Sequence, residues 1–401
     1  MSWRARPLRS LAGALLSCIL VAGCEMRTTP TTPTNPSTEV AIPAATPAPT
    51  LSPTLGPAIA PPPSGEPPIG DSSPSLARLV GQKIVVPVFG PKPGAGLLDR
   101  IRRGRIGGVI LFESDVSTPA ELRGLSATLQ AAAAEGGQPP LFIATDQEGG
   151  SVERIPWAPP TLSALQMGTA GTARTAHDQG AATGSALLDL GVNCDLAPVA
   201  DVPRSTASFM YRQGRTWSFD PTVTATLSDA FASGLRSAGV VPTMKHFPGI
   251  GRSKRNTDLK VVTLNTSKAG LAADLAPYRL AIEHGLPMIM LSNATYTVYD
   301  SKHAAGWSRA IVHGLLRDEL GFQGVTITDS LSGISAARGV PAAKLALRAA
   351  IAGTDMILIS SSRAVTDAAY DLLLSEARAG SIPRARLLAS YDRILALKAS
   401  L

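Results

Sequence analysis

From about residue 76 onward, eight short apolar runs recur, each followed by a longer stretch in which apolar positions return at helical spacing. The runs are Lys83–Phe89, Ile106–Phe112, Leu141–Thr145, Val192–Pro198, Val240–Lys245, Pro287–Leu291, Gly324–Thr328 and Thr354–Ile359. A strand apolar at nearly every position is buried on both faces, as in a parallel sheet covered by helices, whereas a half-solvated strand alternates. The connections are long enough for helices, and Ala304–Leu320, with apolar residues near a 3.6 period, predicts one of them. Eight such units predict an α/β chain closed into a (β/α)8 TIM-type barrel, which needs about 250 residues. An open doubly wound sheet is the competing arrangement, but no Gly-rich nucleotide fingerprint follows the first run.

Upstream of residue 76 the pattern changes twice. Residues 1–23 carry Arg4, Arg6 and Arg9 and then an apolar run from Leu11 to Ala22. That run is too short to span a bilayer comfortably and reads as a secretory signal peptide. It ends in Val21-Ala22-Gly23-Cys24, which resembles the lipobox of bacterial lipoproteins. The resemblance implies cleavage before Cys24 and a diacylglyceryl thioether on its sulfur, making the membrane a partner; two acyl chains suffice for stable anchoring. A secreted protein with a chance cysteine near its cleavage site is the alternative. Residues 24–75 then form the lipidated cysteine and a Pro/Thr/Ser/Ala tether without one aromatic residue. Such a segment cannot bury enough apolar surface to order itself, and as an extended Pro-rich spacer it reaches up to roughly 150 Å. The expected location is extracytoplasmic, with residues 76–401 as the folded domain.

Charge and cysteine content narrow the picture further. The net charge is +7, three of it from the leader arginines, and no basic tract interleaves with aromatic residues, so a nucleic-acid partner is not expected. Of three cysteines only Cys194 falls in the domain, which excludes an internal disulfide framework. Within Val192-Asn193-Cys194-Asp195-Leu196 it reads as a small packed hydrophobe. No His/Cys/carboxylate cluster stands at ligand spacing, so neither metal nor organic cofactor is expected. The domain is expected to be a monomer.

In a barrel of this kind, polar residues just past the strands' C-termini face one pocket. Here those residues are Asp146, Asp201, Lys245, His246, Asn293 and Asp329. Each alone has a bland explanation: Asp329 as a helix N-cap, His246 as a bonded core histidine, Arg154 or Arg215 nearby as braces of a loop. As a set they describe a site that binds hydroxyl groups and offers carboxylates.

The local motifs add a resemblance. Lys245-His246-Phe247-Pro248-Gly249-Ile250-Gly251 is similar to the KHFPGHG signature of glycoside hydrolase family 3, in its bacterial β-N-acetylglucosaminidase branch. Asp146-Gln147-Glu148-Gly149-Gly150-Ser151-Val152-Glu153-Arg154 resembles the family's DxEGGRVxR stretch, with Ser151 for Arg, and Gly191 to Val202 its GVN-x3-APVxDV strand. Gly214-Arg215-Thr216-Trp217-Ser218-Phe219-Asp220-Pro221 and Gly321 through Ser332 match two further segments, the last carrying the nucleophile. The resemblance, over about residues 76–360, implies a retaining exo-β-N-acetylglucosaminidase acting on peptidoglycan fragments or related glycans. In it Asp329 is the nucleophile, and Asp146, Arg154, Arg215, Lys245 and His246 line the sugar subsite. It also implies a single barrel domain, without the second αβ domain and its acid/base Glu found in β-glucosidase relatives.

One departure falls where the chemistry lies. The branch's Asp-Ser-His, whose His is the general acid/base, reads Asn256-Thr257-Asp258. Three readings stay open: Asp258 serves as a carboxylic acid/base, as carboxyl groups do in most glycosidases; another carboxylate such as Glu148 or Asp201 supplies the proton; or the chain is a sugar-binding lipoprotein that turns glycans over poorly. Arg252, Lys254 and Arg255 would depress the Asp258 pKa if they approached it; the run also reads simply as a solvated loop face, or as a contact for an anionic cell-wall polymer.

Overall fold

The computed structural model describes residues 74–401. The leader, Cys24 and nearly all of the tether lie outside the described residues. Ser75 caps the first helix, Leu76–Gly81, by accepting from the Arg78 N–H.

Eight parallel strands follow: β1 Ile84–Pro87, β2 Gly108–Leu111, β3 Phe142–Thr145, β4 Cys194–Asp195, β5 Val241–Phe247, β6 Met288–Leu291, β7 Val325–Thr328 and β8 Ile357–Leu358. Each coincides with one of the apolar runs; only β5 runs past its own, to Phe247. Chain neighbours pair in parallel from β1 to β7. β8 returns beside β1 through Ile84 opposite Ile357, and a bridge between Ile327 and Met356 joins β7 to β8. The ring is therefore a closed (β/α)8 barrel.

The unbroken hydrophobicity of the strands has a two-sided cause. Val85, Ile110, Ala144, Leu196, Met290 and Ile327 fill the barrel interior. Their neighbours one residue away, such as Val86, Val109 and Ile143, pack outward on helices, as do Ile289 and Leu291. Each fully buried side chain of this size contributes roughly 1.5–3 kcal/mol, so both faces of every strand select for apolar residues. Cys194 sits inside with 1% exposure, and burial pushes its thiol up to about 12. It is an inert packing residue.

The helix expected over 304–320 begins late. Asp300–Ala304 is a strand paired with Thr295–Tyr296, Ala305–Trp307 makes a tight turn, and only Ala310–Glu319 is helical, with wide π-type turns. Ala304, Ala305 and Trp307 are apolar because this strap lies over the barrel, its Gly306 N–H donating to Ser292 O at 3.1 Å. Burial by a strap and burial by a helix face leave similar local patterns.

Candidate active site

A cavity of about 330 Å³ opens at the C-terminal ends of the strands. Asp146, Arg154, Arg215, Lys245, His246, Asp258 and Asp329, all singled out in the sequence, line its wall together with Glu148 and Ser330. Cys24 falls outside the described residues.

On the β3 side, Asp146 directly follows the strand, and the chain then turns into a hairpin of Gln147–Gly149 and Val152–Glu153. The buried Gln147 amide pins this hairpin. Its oxygen accepts from the N–H groups of Arg154 and Ile155 at 3.0 Å, and its nitrogen donates to the carbonyls of Ile155, Ala158 and Pro159 at 3.1 Å. Ser151, at the position of the resembled motif's Arg, ties the hairpin to the next loop by donating to Gln213 O at 2.8 Å.

That loop delivers Arg215, whose guanidinium grips Glu148 with two bonds of 2.7 and 2.8 Å. From β5, the Lys245 ammonium reaches Asp146 at 2.5 Å and Glu148 at 2.6 Å. Arg154 lies 4.0 Å from Asp146 and 5.9 Å over the Phe112 ring. Burial alone would raise the Glu148 pKa, but the Arg215 and Lys245 charges outweigh it and hold the carboxyl down at about 2. Burial likewise opposes the Lys245 charge, and Asp146 and Glu148 override it, keeping the ammonium above its ordinary value. A carboxylate clamped in this way keeps no proton at neutral pH, which removes Glu148 as a general acid. Its importance as the anchor of two cations was missed; its place two residues from Asp146 in the hairpin was the available signal.

Asp201, the other alternative acid, stands behind the wall. It is fully buried, with one oxygen 2.8 Å from His246 Nδ1 and the other accepting the Ile250 N–H at 2.7 Å. Its bond places the Nδ1 proton on the Asp201 side and leaves His246 Nε2 for the cavity. Gly251 of the same motif allows the loop to press on the neighbouring backbone: a Cβ there would lie 2.1 Å from Val202 O. The other four histidines lie away from this wall, with His284 on Asp229 and His303 on Asp300.

The opposite side holds Asp329 and Asp258. Asp329 follows β7, its N–H donating to Leu291 O at 2.9 Å while its carboxylate accepts the Ser330 N–H at 2.7 Å. Burial first, and then the Asp258 charge, push the Asp329 carboxyl up to about 7, against the opposing pull of His246 and Lys245. Asp258 arrives on the loop after β5, where Asn256 accepts its N–H at 2.8 Å in an Asx turn. The basic run beside it points elsewhere: Arg252 bonds Asp274 at 2.6 Å, and Lys254 and Arg255 are exposed. Asn293, two residues past β6, is fully buried beneath Asp258. Among the described residues, no three His, Cys, Asp or Glu side chains gather as metal ligands.

Comparison with known proteins agrees with this arrangement. The N-terminal domain of glycosyl hydrolase family 3 matches residues 78–397. An uncharacterized secreted glycosyl hydrolase of Arthroderma benhamiae is 34% identical over 340 residues, 81% of this chain and 94% of that protein. The beta-hexosaminidase of Alkalilimnicola ehrlichii is 34% identical over 64% of this chain and 74% of its own. Among solved structures, a family 3 β-N-acetylglucosaminidase from Paenibacillus superposes with a TM-score of 0.79 at 32% identity, covering 82% of this chain; this chain spans 63% of that one. The β-N-acetylhexosaminidase of Beutenbergia cavernae gives 0.76 at 31% identity, covering 82% and 100%. The barrel, the cavity at its C-terminal face and these likenesses together place the chain in glycosyl hydrolase family 3.

Proposed function

We propose that the protein is a retaining β-N-acetylglucosaminidase-like hydrolase in which Asp329 is the nucleophile and Asp258 the general acid/base. The observation that carries this reading is the shared wall: two carboxyls, one just past β7 and one on the loop after β5, border the cavity in which a cluster of ion-paired polar groups offers a seat for a sugar.

The chemistry follows from that geometry. Asp146 and His246 Nε2 accept bonds from ring hydroxyls, and Arg154 and Lys245 donate to ring or acyl oxygens. Asp329, ionised, attacks the anomeric carbon; the bond to the leaving oxygen breaks, and that oxygen takes the Asp258 proton. Asp258, now a carboxylate, removes a proton from water, whose oxygen displaces Asp329 from the sugar and restores both groups. Productive chemistry needs one proton on the pair, on Asp258. Burial and the Asp258 charge work against an ionised Asp329, and His246 and Lys245 offset part of that.

The substrate we infer is a terminal N-acetylglucosamine of peptidoglycan-derived or related glycans. We further infer that the leader directs export and that Cys24 carries the anchor, in keeping with the secreted relative. The test uses purified protein with aryl N-acetyl-β-glucosaminide and aryl β-glucoside, following phenol release and intact mass together. Turnover lost in Asp329→Asn and reduced in Asp258→Asn supports the reading. Neither phenol nor adduct from either substrate replaces it with a sugar-binding lipoprotein. For the anchor, Cys24→Ser should move the protein from the membrane fraction to the soluble one.

A further inference from the structure

With the branch's Asp-His dyad absent, something else must aim the acid/base carboxyl. We infer that Asn293 is the positioning residue of Asp258, an inference that rests on the proposed role of Asp258. Asn293 lies two residues past β6 with no exposed surface. Its side-chain nitrogen donates to Ser330 O at 3.1 Å and faces Asp258 Oδ1 at 3.4 Å. Ser330 is the residue after Asp329, so one amide spans the two carboxyl-bearing segments. Because a nitrogen donor engages Oδ1, the proton of an acidic Asp258 resides on Oδ2, the oxygen left free for a leaving group.

Two further contacts complete the clamp. From within the loop, the Asn256 side chain accepts the Asp258 N–H at 2.8 Å. From the helix Leu331–Arg338, Gly333 leaves room for the loop to sit down: a Cβ there would stand 2.6 Å from Asp258 O and 3.4 Å from Asp258 Cβ. The backbone of Asp258 is thus seated by Gly333 and Asn256, and its carboxyl is turned by Asn293. The Asn293 oxygen is buried without a protein partner. A buried amide left half-satisfied is costly, and the half that is satisfied here is the nitrogen that bridges Ser330 and Asp258.

A positioning role differs from a merely structural one in its dependence on the leaving group. An activated leaving group departs without protonation, whereas an alkoxide requires it. The experiment compares kcat/KM for 2,4-dinitrophenyl and methyl N-acetyl-β-glucosaminides in Asn293→Ala, Asn293→Asp, Gly333→Ala and Asp258→Asn, each checked for a cooperative melt. The expected result for both Asn293 variants is a loss of about 30-fold or more on the methyl glycoside, with the dinitrophenyl substrate losing about threefold or less. Gly333→Ala, which shifts the loop without touching Asn293, should show the same split. Equal losses on both substrates in all three, or no loss on the methyl glycoside, overturn the inference. If Asp258→Asn itself shows no leaving-group dependence, the acid/base reading falls instead; if it alone shows the split, that reading stands and Asn293 is only structural.

Discussion

The two sides of the cavity are built on opposite electrostatic principles. On the β3–β5 side, Asp146, Glu148, Arg215 and Lys245 satisfy one another within 2.8 Å, and each charge stabilises its neighbours. Across the cavity, the loop after β5 and the end of β7 bring two carboxyls to the same space, one of them lifted to about 7, with a single neutral amide between their segments. Buried charges of opposite sign make a rigid, proton-free binding surface. Like charges hold a proton that is ready to move. In the proposed mechanism the first side recognises the sugar and the second carries the reaction.

The largest expected effect breaks the reactive side outright. Asp329→Asn should lower kcat on an aryl N-acetyl-β-glucosaminide by on the order of 10⁴-fold or more, since the residual rate comes from binding alone. Sugar affinity, read by calorimetry with N-acetylglucosamine, should stay within a few-fold because the paired side is untouched. Asp258→Asn should cost about 10²–10⁴-fold on an unactivated glycoside; azide, which needs no general base, should speed breakdown of the glycosyl ester and appear as glycosyl azide.

Breaking the paired side should give the reverse signature. Glu148→Gln leaves Arg215 and Lys245 without their shared carboxylate. Breaking a buried pair costs about 3–5 kcal/mol, seen as a lower urea midpoint together with a raised KM, while the leaving-group dependence stays that of the wild type.

The pH dependence sharpens the comparison more gently. The pair loses its remaining proton as pH rises through about 7, so kcat/KM should fall above that pH, and the paired side contributes no limb there because Glu148 titrates near 2. The same shift bears on stability. A carboxyl whose folded pKa lies above its unfolded value favours the fold at low pH, and that contribution is lost as pH climbs from about 4 to about 7. Asp329→Asn should therefore raise Tm by about 2–6 °C at pH 8 and by less at pH 5, in a differential scan.

Much of this was legible in the chain because the barrel imposes two demands on every strand. Inward and outward positions are both apolar, so runs such as Ile106–Phe112 stand out, and the residues past their ends fall on one rim by construction. Seven of the domain residues picked out from those ends and motifs share one cavity wall, whereas Asp201 and Asn293 stand behind it. The strap at 300–307 was less legible, since its apolar residues repeat at a spacing that a helix would also show. Glu148 looked like a spare acid because a sequence displays a carboxylate but not the two cations that fold onto it.

The sequence by itself determined the layered architecture, the rim on which the chemistry gathers, and the absence of the expected histidine at 258. These are properties of local patterns, set by period, burial and residue type. Tertiary structure decided which charges cancel and which confront each other. Lys245 lies 97 residues from Glu148, and Asn293 37 residues from Ser330, yet each pair is in contact. Coulomb and hydrogen-bond energies depend on distance in space, which only the closed ring sets, so Glu148 became an anchor and Asp258 was left as the partner of Asp329.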